Sequence, residues 1–171
     1  MRILLLSDTH GHIDEAILGH AREADEVWHA GDVGEGGVLE ALAECAPVRA
    51  VYGNIDGGAL RRELPLNLAW EPAGLPVLMT HIGGYPGRYT RRVRELIDGA
   101  DPRPRLYVCG HSHICKVMPD RGRGLLHMNP GACGHHGFHK VRTMLRFRIG
   151  DGGRVADVAA IELGRRGRDG A

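Results

Sequence analysis

Short apolar runs alternate with amphipathic stretches along most of the chain. Residues 3–6 (ILLL) read as a strand, and residues 14–23 place Ala16, Ile17, His20 and Ala21 at helical spacing, with Ala24 just beyond. The run at 26–29 reads as the next strand. The alternation continues with a helix over 37–45, strands over 48–52 and 75–80, an Arg-rich helix over 89–97, and strands over 106–109 and 125–128. This is the grammar of βαβ units. After Asn129-Pro130-Gly131 the pattern changes: residues 143–149 and 155–163 flank Gly150-Asp151-Gly152-Gly153, a turn suited to a hairpin, so the chain should end in antiparallel strands. No internal repeat or low-complexity linker interrupts the chain.

A chain of 171 residues can bury a core of its own. We expect one domain over residues 1–164, followed at 165–171 by a disordered basic tail; that tail has no aromatic residue on which a base could stack. Lys and Arg number 22 against 21 Asp and Glu, a net charge of +1 that offers no electrostatic argument for nucleic acid or membrane as the principal partner. The first apolar run is too short for a signal-peptide core or a membrane span. Cys45, Cys109, Cys115 and Cys133 form no C-x-x-C pair and read as small buried hydrophobes, which fits reduced thiols in a cytoplasmic setting.

Composition changes the picture in one respect: the chain carries 11 histidines, and their positions matter. Each of five apolar runs ends in a potential metal ligand: Asp8 and His10, Asp32, Asn54, His81, then His111 and His113. In open α/β folds the carboxyl ends of strands face a common crevice, so these endings should converge. Residues two apart in extended chain point the same way, so Asp8 with His10, and His111 with His113, can aim at one place. The mixed oxygen and nitrogen donors suit Mn, Fe or Zn better than Ca or Mg, and the absence of thiolate argues against a structural zinc knot. Seven side chains are too many for one tetrahedral ion and suit two ions that share a carboxylate, an arrangement that acidifies a bridging water and clamps a phosphoryl group.

The series D-x-H, G-D, G-N, a lone His and G-H-x-H, in that order over residues 8–113, resembles the calcineurin-like metallophosphoesterase superfamily. The short chain and Asn129-Pro130-Gly131-Ala132 are similar to its small bacterial and archaeal members of the phosphodiesterase type. The resemblance implies an α/β/β/α sandwich of two packed mixed β-sheets flanked by helices. It implies Asp8, His10, Asp32 and His113 at a first metal, and Asp32, Asn54, His81 and His111 at a second. It implies two divalent transition metal ions, Mn²⁺ foremost, with Fe, Zn or Ni as alternatives. The implied reaction is in-line hydrolysis of a phosphodiester by a metal-bridging hydroxide, with Asn54 and His111 stabilising transition-state charge. The implied substrate is a small-molecule or nucleotide phosphoester, with nucleic acid left open; a symmetric homodimer is the base-rate assembly.

One departure bears on mechanism. Many family members carry a proton-donating histidine directly after the Asn, whereas this chain reads Gly53-Asn54-Ile55-Asp56, so a general acid worth about 10²- to 10⁴-fold is missing there. His12 is a candidate substitute, with an exposed loop histidine as the plainer reading. Asp56 reads as an orienting or loop-capping carboxylate. Two rival functions follow: a phosphomonoesterase, disfavoured by Ile55, and a protein-binding scaffold of the same fold, disfavoured by the complete donor series. Ser112 lacks the second glycine of G-x-S-x-G and is no nucleophile. His135, His136 and His139 read as a solvated loop leading into the last hairpin, with lining the substrate mouth or binding stray metal as the alternatives, and His20, His29 and His127 read as ordinary helix or strand residues. Arg88, Arg91, Arg92 and Arg94 read either as a phosphate-facing set or as one solvated helix face.

Overall fold

The first strand decides how the molecule layers. β1 (Arg2–Leu6) sends Ile3 and Leu5 to one side and Leu4 and Leu6 to the other, and all four are buried. A strand buried on both faces needs a covering layer on each. In the computed structural model, which describes residues 1–167, β1 is the middle strand of five. β2 (Glu26–His29) and then β3 (Val48–Ala50) extend the sheet in parallel on one side, and β9 (Val141–Gly150) and then β10 (Arg154–Arg165) extend it antiparallel on the other. A second five-stranded sheet runs β4 (Asn67–Trp70), β5 (Val77–Thr80), β6 (Leu106–Val108), β8 (Leu125–Pro130) and β7 (Cys115–Asp120), parallel in the middle and antiparallel at both edges.

Side-chain alternation then sorts the apolar residues into three cores. Ile3 and Leu5 join Trp28, Met79, Val108 and Phe147 between the sheets. Leu4 and Leu6 meet Ile17 and Ala21 of α1 (Glu15–Arg22) and Val38 and Leu42 of α2 (Val38–Ala43) outside the first sheet. Leu78, Tyr107 and Leu125 meet Val93 and Ile97 of α4 (Arg91–Gly99) outside the second. This is the α/β/β/α sandwich that the resemblance implies.

The helices begin where capping chemistry allows. Asp14 accepts the Ile17 N–H at 3.0 Å to start α1, and Thr90 accepts the Val93 N–H at 3.3 Å to start α4. Strands expected over 48–52, 75–80 and 106–109 are shorter than the apolar runs, because their last or first residues leave the ladder for loops. Three elements have no counterpart in the expected pattern: α3 (Gly58–Glu63), β4 and β7. β7 contains Pro119, which an edge strand tolerates because it needs no N–H on its open side. The closing hairpin forms as expected, with Gly152 and Gly153 at φ +66° and +70° in its turn. β10 runs one residue past the expected boundary at 164, and the Arg166 N–H donates to the Lys140 carbonyl at 3.0 Å; residues 168–171 of the expected tail lie outside the described residues.

All four cysteines are free, with Cys109 and Cys133 buried. Among the described residues no helix is long and apolar enough to cross a membrane. His127 is buried on β8 against the Tyr107 ring, and burial pushes its pKa down to about 4. The unfolded chain titrates this imidazole near its ordinary value of 6.5, so between the two values the unfolded state binds the extra proton. Stability from this group is therefore full above about pH 6.5 and falls as the pH drops toward about 4, by about 3 kcal/mol at most. We predict that His127→Phe reduces the loss of stability between neutral pH and pH 5 or so, measured by urea unfolding at each pH.

Candidate metal centre

The ligand candidates sit just beyond the strands of both sheets. Asp8 and His10 follow β1, Asp32 follows β2, Asn54 follows β3, His81 follows β5, and His111 and His113 follow β6. Their backbone explains how they converge. Seven non-glycine residues among those described have positive φ, and five of them are Asp8, His10, Asp32, His111 and His113, at +49° to +66°. Left-handed backbone costs a residue with a Cβ about 1–2 kcal/mol, and strain of this kind gathers where function requires a particular side-chain direction. The expected aiming by extended-chain alternation is thus corrected: sharp left-handed bends, not pleat, turn these side chains inward.

The donors form two groups. One atom each from Asp8, His10 and His113 lie within 4.8 Å of one another, and the same holds for Asp32, His81 and His111. Asp32 faces both groups, with Oδ1 3.2 Å from His81 Nε2 and Oδ2 3.8 Å from His10 Nε2. Asn54 Oδ1 stands 3.1 Å from His81 Nε2, so all seven candidates are brought together. His81 Nδ1–H donates to the Ala30 carbonyl at 2.8 Å, which leaves Nε2 facing the oxygens of Asp32 and Asn54. Burial opposes a charge on His81, yet Asp32 and Asp8 raise its pKa above the usual value: this pocket of oxygens calls for a cation. Burial lowers the pKa values of His10 and His111, which keeps their nitrogens free to ligate.

Two orphaned atoms test whether a metal fits. Asp8 Oδ1 and His10 Nε2 are buried without a hydrogen-bond partner, although His113 Nε2 is only 3.1 Å from Asp8 Oδ1. Native proteins seldom leave such groups unsatisfied, and a cation between them would satisfy both. The donor set of carboxylate, amide oxygen and imidazole, with no thiolate, suits a divalent transition ion. The residues present therefore fit the group that the resemblance implies.

A layer of hydrogen bonds holds these side chains. Ser7 Oγ–H and the His111 N–H donate to Asp8 Oδ2 at 2.5 and 3.1 Å, and the Ile55 N–H donates to Asp32 Oδ1 at 3.0 Å. Asp56 accepts from the N–H groups of Gly53, Val33 and Gly34 at 2.7, 3.2 and 2.8 Å, tying the Asp32 loop to the Asn54 loop. His29 lies beneath the site: its Nδ1 accepts from Gly31 N–H at 3.2 Å, so Nε2–H donates to Thr9 Oγ1 at 2.9 Å, and Thr9 in turn donates to the Val33 carbonyl at 2.8 Å. Burial pushes the His29 pKa to about 4, consistent with this single-proton ring. Asn129 Nδ2 donates to the Gly110 carbonyl at 2.7 Å and to Ser112 Oγ at 3.1 Å, which pins the turn carrying His111 and His113. In the sequence Asn129 marks a change of pattern and part of the family resemblance, and no local signal there points to this role.

The histidine-rich loop keeps His136 and Phe138 exposed but lies against the site, closer to the mouth-lining alternative than to a solvated connector. His139 is buried with Nδ1 3.2 Å from His113 Nδ1, the His136 ring lies 4.7 Å from that of His10, and the His135 ring lies 4.2 Å from that of His12. Imidazole contacts and the His139 Nε2–H bond to the Gly134 carbonyl hold the loop against the site. A cavity of about 540 Å³ opens beside the first donor group, walled by His10, His12, Ile55, Asp56, His135 and His136. A second, of about 360 Å³, opens beside the other, walled in part by Tyr52, Asn54, Arg61, His81 and Arg92. Of the four arginines weighed above, Arg92 lines this cleft, whereas Arg91 is exposed and paired with Glu95. His12 Nε2 is 3.0 Å from Asp14 Oδ2, and Arg142 reaches the same oxygen at 2.8 Å. Partial burial opposes ionisation of Asp14, but hydrogen bonds from Ile17, His12 and Arg142 hold its pKa at about 2.

Comparison with known proteins agrees with this geometry. The profile of the calcineurin-like phosphoesterase superfamily domain matches residues 1–152. A probable metallophosphoesterase of Methanothermobacter thermautotrophicus is 31% identical over 139 residues, covering 77% of this chain and 77% of that protein. Among solved structures, an archaeal phosphodiesterase is 21% identical with a TM-score of 0.68, covering 95% of this chain and 100% of its own. Vps29 of Entamoeba histolytica, solved in complex with zinc, is 16% identical with a TM-score of 0.70, covering 95% of this chain and 99% of its own. At these identities the two structures show a shared fold.

The glycines that precede ligands are required for space. A Cβ at Gly110 would lie 2.0 Å from Ser7 Oγ and 3.0 Å from Asp8 Oδ2, and one at Gly53 would lie 2.0 Å from Asp32 Oδ1. At Gly99, on the last turn of α4, a Cβ meets nothing within 4 Å. Gly110→Ala should therefore displace Asp8 and weaken Mn²⁺ binding by about 10-fold or more, while Gly99→Ala leaves it unchanged, measured by calorimetric titration.

Proposed function

The chain belongs to the calcineurin-like phosphoesterase superfamily, and from that membership and its donor set we propose a dinuclear, metal-dependent phosphodiesterase. A metal-dependent phosphoesterase is the activity the family carries. The observation that carries the finer reading is Asp32, which turns one carboxylate oxygen toward each donor group. Asp8, His10, Asp32 and His113 would hold one ion, and Asp32, Asn54, His81 and His111 the other, with Mn²⁺ foremost and Fe, Zn or Ni as alternatives. When bound, two such ions supply an acidified water as nucleophile and neutralise the phosphoryl oxygens.

The chain's own residues do the rest. Asn54 and His111 are exposed at the mouth of the site, where an amide N–H and an imidazole can meet the charge that develops on the phosphoryl group. The cavities on either side give room for two ester arms, which a diester has and a monoester lacks. Ile55 stands exposed at one cavity wall and can donate no proton. His12 lines the same cavity with Asp14 behind it, and the carboxylate holds the ring in place to protonate a departing alkoxide. The free cysteines fit a reducing, cytoplasmic setting.

Saturation with Mn²⁺ should give two bound ions per chain by equilibrium dialysis, and a stoichiometry of one would sink the dinuclear reading. The loaded protein should hydrolyse bis(p-nitrophenyl) phosphate faster than p-nitrophenyl phosphate. The reverse order would favour a monoesterase. A chain that binds both ions and cleaves neither ester would favour the scaffold reading, for which the fold shared with Vps29 is the precedent. Asn54→Ala and His81→Ala should each lower diester hydrolysis by roughly 10²- to 10³-fold without unfolding the protein. His12→Ala should slow alkyl diesters more than the aryl diester, since a good leaving group needs no proton; equal loss on both would remove His12 from that role.

A further inference from the structure

We infer that His139, outside the donor set, is a positioning residue that fixes which ring nitrogen of His113 carries the proton and thereby frees His113 Nε2 to ligate. The inference rests on the metal reading above. His139 is buried, with Nε2 3.1 Å from the Gly134 carbonyl oxygen, a group that only accepts. Its Nε2 therefore carries the proton, and in the neutral ring Nδ1 is bare. That bare nitrogen lies 3.2 Å from His113 Nδ1. Two nitrogens at this separation share one proton, and here it belongs to His113. With Nδ1 protonated, the lone pair of His113 is on Nε2, 3.1 Å from the unpartnered Asp8 Oδ1. Each assignment sets two acceptors 3.1 Å apart: His113 Nε2 and Asp8 Oδ1 in this one, a pair that the metal ion would bridge, and His139 Nε2 and the Gly134 carbonyl in the opposite one, a pair outside the donor set.

The loop around His139 is shaped to the His113 ring. Gly137 has φ +114°, and a Cβ there would lie 2.2 Å from His113 Nδ1. The Phe138 ring lies nearly parallel to that of His113, at 12° and 5.6 Å between centroids. Arg166 holds the loop from behind by donating to the carbonyls of His135 and Gly137. Metal-bound histidines usually donate their second N–H to a carboxylate or carbonyl; here a neutral imidazole takes that place and orients the ring without adding charge.

The test uses the full chain loaded with diamagnetic Zn²⁺ and isotopically labelled in its histidine nitrogens. We expect His113 Nδ1 to be protonated and to show scalar coupling across the hydrogen bond to His139 Nδ1. A bare His113 Nδ1 would overturn the inference. In Zn²⁺ titrations, His139→Leu should weaken one of the two bound ions by about 10- to 100-fold and leave the other unchanged. His139→Asn offers a carbonyl oxygen near the place of Nδ1 and should restore most of that affinity. Unchanged affinity for both ions in His139→Leu overturns the role of His139 alone, whereas wild-type protein that binds no Zn²⁺ overturns the metal reading on which it rests.

Discussion

Asp8 and Asp32 are almost completely buried at one end of the sandwich, and burying a carboxylate costs several kcal/mol unless it is paired and hydrogen-bonded. Protein donors meet only part of that demand. Ser7, His111 N–H and Ile55 N–H occupy Asp8 Oδ2 and Asp32 Oδ1, while Asp8 Oδ1 has no hydrogen-bond partner. The rest of the site follows from this imbalance: imidazoles gather around the two carboxylates, and a cation among them would meet the demand that the protein donors leave.

The sandwich makes such a concentration of like groups tolerable. Strands of both sheets end at the same edge, and their cores hold those ends while five of the donor residues take left-handed backbone. Strain of this size persists only where neighbouring structure over-determines it. The close packing of Gly53 against Asp32 and of Gly110 against Ser7 is part of that determination, as are the hydrogen bonds of Asp56 and Asn129. Because donors arrive from both sheets, metal binding would also tie the sheets together, so occupancy and stability should rise together.

Family membership accounts for the fold and the metal chemistry but not for the walls of the two clefts. His12, His135 and His136 line one, and Arg61 and Arg92 line the other; none of these is in the ligand series. Under the proposed phosphodiesterase reading, with Ile55 in place of a proton donor, selectivity would rest on these walls and on the leaving group itself. The Vps29 likeness shows a shared fold, and a fold by itself does not fix what a protein does.

Much of this was legible in the sequence. Short apolar runs, amphipathic helical stretches and the glycine-rich final turn are local signals, and each reports its own element. Placing a ligand after each run, with glycine before Asp32, Asn54 and His111, was enough to outline the donor set, because strand ends of one fold must share an edge. β4, β7 and α3 were not legible: they are short, weakly patterned, and stabilised by the partners they pair with. Nor were the left-handed turns, which sequence alternation would have made extended. Which histidines stand at the two carboxylates and which lie behind them was visible only when His139, 26 residues from His113, and Asn129, 19 residues from Gly110, came within hydrogen-bonding distance. A tautomer is set by the atom across the hydrogen bond, and that atom's position is a property of the folded chain alone.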